Sequence, residues 1–182
     1  AFNTLIGSSA GGYINSGNQN TVVGSQSGRD ITSATSNTFM GYQAGITATS
    51  SYNTIVGANA ANNLVGGTVD AFGYLAGNAV TTGVRNFAIG NQSLAGAGGA
   101  TNITGNDNIA IGVFAMQVQG SNSTAKAHSR NLAIGVYAGQ VHTTAVTNNI
   151  SIGYAAGVTN TNDSITGSNN IAIGVLSGLP SR

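Results

Sequence analysis

The side chains able to do chemistry are few and widely spaced. In 182 residues the chain has four carboxylates, all of them Asp (Asp30, Asp70, Asp107 and Asp163), two imidazoles (His128 and His142) and no Cys. A glycosidase-type pair needs carboxyls about 5–10 Å apart. Here each Asp is separated from the next by 37 residues or more, so a pair could form only between neighbouring chains of an oligomer. Neither His has an acidic or Cys companion at metal-ligand spacing, so both read as surface imidazoles and no metal or other cofactor is expected. The Gly-Gly-x-Gly-x-Asp pattern of calcium-binding rolls is absent. "GAGG" at Gly96 to Gly99 precedes neither a helix nor a Lys, which makes it a loop rather than a phosphate cradle. The chain therefore reads as non-enzymatic. The one concentration of recognition groups is Asn122, Lys126, His128 and Arg130. Cationic and amide donors suit anionic or hydroxyl-rich surfaces, so these four are candidate receptor contacts. The competing reading is a solvated loop that keeps a charge-poor chain in solution.

What must position such residues is a repeated word. "NIAIGVFA" at Asn108 returns as "NLAIGVYAG" at Asn131 and as "NIAIGVLSG" at Asn170. With the Gly after the apolar pair as anchor, copies fall at Gly7, Gly24, Gly41, Gly57, Gly73, Gly90, Gly112, Gly135, Gly153 and Gly174, at spacings of 17, 17, 16, 16, 17, 22, 23, 18 and 21 residues. A constant word with a variable spacer marks stacked coils with loops of different length. One repeat domain over 1–182 is expected, with short coils over 1–95 and longer loops over 96–182.

Composition agrees with a repeat architecture. Charged residues make up 5% of the chain and apolar residues 41%, whereas globular domains carry about a quarter charged residues. A net charge of +1 offers no electrostatic footprint for nucleic acid or an anionic membrane. No apolar run approaches the roughly 20 residues of a membrane helix, and no signal peptide is evident. The chain begins without Met, as a segment of a longer protein would.

The columns of the word carry physical content. Asn stands four residues before the anchor in every copy but one, where Val69 replaces it. A large apolar residue always precedes the anchor, and Ala or Ser always stands three residues after it. Coils of a parallel solenoid place like residues about 4.8 Å apart, so each column becomes a ladder. The anchor Gly supplies a backbone angle or a close approach that a Cβ forbids. Copies one to four read Asn-Thr-apolar-apolar-Gly, as in "NTVVG" and "NTFMG". Copies six to ten read Asn-apolar-small-Ile-Gly, as in "NFAIG". The later form is a period-two strand, with Phe87 and Ile89 on one face and Ala88 on the other. Gly, Asn, Thr and β-branched residues disfavour helix. The fold expected is all-β, a parallel β-solenoid of about ten coils. Each coil brings only two or three large apolar side chains, worth roughly 1.5–3 kcal/mol apiece when buried. One apolar strand face can line the coil; the other calls for a second surface, which points to copies of the same chain around a shared axis.

The later word resembles the "SVAIG" repeat of trimeric autotransporter adhesin heads. The earlier word, "NTFMGYQAG" above all, resembles repeats of bacteriophage tail fibre proteins. The resemblance covers all ten words but not the spacers, and it implies a left-handed parallel β-roll packed as an intimate trimer. It implies a fibrous structural and adhesive segment of a virion, extracellular, serving as shaft and receptor-binding region. The alternatives are the head of a trimeric adhesin on a bacterial outer surface, or a polysaccharide-cleaving fibre. The partners implied are two further copies of the chain and a host glycan or protein receptor, without nucleic acid and without membrane insertion.

Overall fold

The computed structural model describes residues 2–96, 102–118, 126–140, 145–158 and 167–178. Each word forms one short strand: β1 Thr4–Ile6, β2 Thr21–Val23, β3 Thr38–Met40, β4 Thr54–Val56, β5 Val69–Phe72, β6 Asn86–Ile89, β7 Ile109–Ile111, β8 Leu132–Ile134, β9 Ile150–Ile152 and β10 Ile171–Ile173. They stack in sequence order into one ten-stranded sheet, and every pairing is parallel, as in Thr4 opposite Thr21 and Ile109 opposite Leu132. The architecture is the expected parallel β-solenoid. Spacers of different length leave the strand register intact.

The expected Asn column is a continuous side-chain ladder on each side of one break. Asn20 donates its backbone N–H (2.9 Å) and its Nδ2 (3.2 Å) to Asn3 Oδ1, and Asn37 does the same to Asn20. The spare Nδ2 hydrogen caps a backbone carbonyl of the spacer that follows, as Asn20 does to Ala34 O at 2.9 Å. An amide is the one neutral side chain that both donates twice and accepts twice, so Asn can be buried here without an orphaned polar atom.

The period-two expectation left open which strand face looks inward, and the structure settles it. From β2 onward the central residue of each strand is buried: Val22, Phe39 and Ile55 in the early coils, then Ala71, Ala88, Ala110, Ala133, Ser151 and Ala172, while Leu5 of the terminal coil is exposed. Bulk lost at the strand in coils six and seven is regained at the opposite corner. Beside Phe39 the corner residue is Gly28, where an added methyl would lie 2.8 Å from the ring. In coils six and seven the same corner column holds Leu94 and Met116, both buried. Gly139 faces Ala133, with Met116 alongside. In coils eight to ten both positions are small, as Ala133 with Gly139, Ser151 with Gly157 and Ala172 with Gly178.

Candidate functional site

The four residues read as receptor contacts are placed very differently from one another. Asn122 lies outside the described residues. Lys126 is 8% exposed, and its backbone pairs with Ile103, which in turn pairs with Val80. His128 is 1% exposed, which corrects its reading as a surface imidazole. Its Nδ1 accepts the Val146 N–H at 3.2 Å, and its carbonyl accepts Asn108 Nδ2 at 2.6 Å. Nε2, which carries the proton of the neutral ring, is buried without a partner. Burial first, and the nearby Lys126 charge second, push the imidazole pKa down to about 4. His142 lies outside the described residues, as does much of the three longest spacers.

Only Arg130 of the described three is fully exposed. It occupies the corner immediately before the Asn column, in a left-handed backbone conformation (φ 55°). Its Nε donates to Asn148 Oδ1 at 2.7 Å, and Asn148 Nδ2 donates to Asn169 Oδ1 at 2.9 Å. This corner carries a polar ladder up the rod.

The burial of His128 has a signal in the sequence. Counting three residues back from the Asn column gives Gly17, Ala34, Ser50, Gly83 and Gly105 before it gives His128. These are interior corner positions whose carbonyls serve the Asn amides of Asn20, Asn53, Asn86 and Asn108. Registration from the nearest word, rather than from the middle of the spacer, puts His128 inside.

Two of the carboxylates are paired with Arg. Asp30 meets Arg29 Nε at 2.7 Å, and Asp107 meets Arg85 Nε at 2.5 Å. The guanidinium hydrogen bond is the main cause holding each carboxyl below its ordinary range. Among the described residues no three His, Cys, Asp or Glu come together as metal ligands, and no helix is long and apolar enough to cross a membrane.

The outer face of the sheet is apolar and exposed. Because the small residue points in, both flanking residues point out, so Ile109, Ile134, Ile171 and Ile173 are exposed. The next position after the anchor extends the apolar surface around the corner, with Tyr42, Tyr74, Val113, Val136, Tyr154 and Val175 exposed. Phe114 and Tyr137 stack across adjacent coils at 5.1 Å between ring centroids. In the first four coils the upstream outer column is Thr instead, from Thr4 to Thr54. Comparison with protein-family models, with curated proteins and with solved structures finds no match.

Proposed function

We propose that this chain is a non-enzymatic, trimeric shaft and display segment of a bacteriophage tail fibre. The observation that carries the reading is the exposed, in-register apolar face described above. Monomeric proteins rarely expose contiguous apolar patches beyond a few hundred Å², and a strip running the length of a rod fits two parallel copies of itself around a shared axis. The two forms of the word, with their likeness to fibre and adhesin repeats, supply the biological setting. A rod of near-identical rungs holds a surface away from its base. Recognition falls to the spacers, where Arg130 stands outward and Asn122 belongs to the same stretch of sequence.

Parallel, in-register packing has a direct chemical test. A single Cys at Ile111, on the outer face, should give disulfide-linked chains under mild oxidation, because identical residues approach around the axis. A single Cys at Thr82, at the exposed far side of the coil, should not cross-link. Equal cross-linking at both positions would remove the support for packing through this face.

A further inference from the structure

Coil five breaks both ladders at once, and the break opens a cleft. Val69 replaces Asn, so the Asn86 N–H has no side-chain acceptor and turns to Thr68 O at 3.2 Å. In other coils the residue before the Asn column takes a left-handed conformation, as Ser36, Tyr52, Arg85 and Asp107 do. Thr68 does not, and the left-handed residue of its corner is Gly66 instead. The corner column therefore lacks a projecting side chain between Tyr52 and Arg85. The gap is a cavity of about 400 Å³ lined by Tyr52, Thr68, Val69, Asp70, Arg85, Asn86 and Phe87, within the roughly 300–1,000 Å³ of small-ligand sites.

The groups around it are complementary in kind. Tyr52 is 77% exposed and stands at one side, and Phe87 lines the cleft as an apolar surface. Asp70 replaces the Thr of the outer column. Its Oδ1 accepts the Thr54 N–H at 3.0 Å, and Oδ2 has no protein partner among the described residues. Arg85 engages Asp107 through Nε and Nη2, which leaves Nη1 without a protein partner among the described residues. Thr68 Oγ1 accepts the Arg85 N–H at 2.8 Å and retains its own hydrogen to donate. An aromatic and apolar surface, one carboxyl acceptor and two donors match a ring whose C–H face is apolar and whose rim carries hydroxyls, each of which both donates and accepts.

We propose that this cleft binds a single neutral sugar ring, with Tyr52 and Phe87 against the ring face, Asp70 accepting from its hydroxyls, and Thr68 and Arg85 donating to them. The site is separate from the Met116–Arg130 spacer. It lies at the upstream edge of the outer face, where Asp70 and Phe87 continue the column of Thr54 and Ile109. It therefore requires that the proposed contact between chains leave this edge uncovered at coil five.

Two substitutions borrow residues that other coils already use. Tyr52→Ser places at this corner the residue that Ser36 supplies one coil earlier, and Asp70→Thr extends the Thr column from Thr54. Both should fold with the same melting temperature and particle mass as the parent. Saturation-transfer NMR with glucose and N-acetylglucosamine as probes should detect millimolar binding to the parent. Each substitution should weaken that binding by roughly tenfold, equivalent to about 1.4 kcal/mol, while Arg130→Ala leaves it unchanged. No transfer to either sugar, equal transfer in the parent and both cleft variants, or loss with Arg130→Ala would each overturn the proposal. Particle mass measured on the same samples separates these failures from a failure of the trimer.

Discussion

Asn108 Oδ1 accepts two hydrogen bonds from Asn131, one from its backbone N–H at 3.2 Å and one from its Nδ2 at 3.0 Å. This relationship, repeated from coil to coil, ties each rung to the next through a side chain as well as through the sheet. It explains why the word conserves an amide where an apolar residue would bury more easily.

Replacing Asn108 by Leu should therefore be costly despite the similar volume. It strands the buried Asn131 N–H, one Asn131 Nδ2 hydrogen and the His128 carbonyl, and leaves Asn86 Oδ1 with the backbone N–H alone. Each buried unsatisfied group costs about 1–3 kcal/mol, so a loss of more than about 2 kcal/mol is expected in chemical denaturation. A loss within about 0.5 kcal/mol, the ordinary range of surface changes, would mean the ladder is decorative.

The anchor column has a double requirement. Gly135 has φ 128°, and a Cβ there would lie 2.5 Å from Gly153 O. Gly135→Val should destabilise by more than about 2 kcal/mol, from backbone strain and collision together. Thr82→Val, at an exposed spacer position, should change little. Equal melting temperatures for the two variants would contradict a backbone role for this Gly.

Burial of His128 sets a pH dependence with a definite sign. Its pKa is about 4 in the folded chain against an ordinary 6.5. Between these values the unfolded chain holds a proton that the folded chain does not, so stability falls as pH drops from 6.5 towards 4 and levels off below that. The full span is worth about 3 kcal/mol. His128→Gln should flatten the curve of unfolding free energy against pH over this window; an unchanged slope would place the titration elsewhere.

The apolar face can be broken without touching the core. Ile134 is 37% exposed and points away from the buried Ala133. Ile134→Asp should leave strand content in the circular dichroism spectrum but disperse the proposed trimer, because burying an unpaired carboxylate at an apolar contact is costly. An assembly of unchanged mass would locate the contact on another face.

The rungs were legible in the sequence because stacking repeats every requirement: one Asn, one Gly and one Ala or Ser column recur at fixed offsets. The direction of the strand faces was not. Ala88 inward and Ile89 outward can be told apart only once Leu94 and Met116 are seen to replace the missing bulk from the far corner. Lys126 and His128 were read as a loop cluster because charge and imidazole normally mark a surface. Their positions follow instead from registration against Asn131. The cleft at coil five was hidden for a related reason. Val69 appeared as one exception in a column, and its effect on the backbone at Thr68 is not a property of residue type.

The central claim is that three chains share the outer apolar face, and sedimentation equilibrium tests it most directly. With a chain of 17.9 kDa, the fibre reading predicts a single species of about three chain masses at micromolar concentration, the closed symmetry of a parallel trimer. A folded species of one chain mass under the same conditions would contradict it.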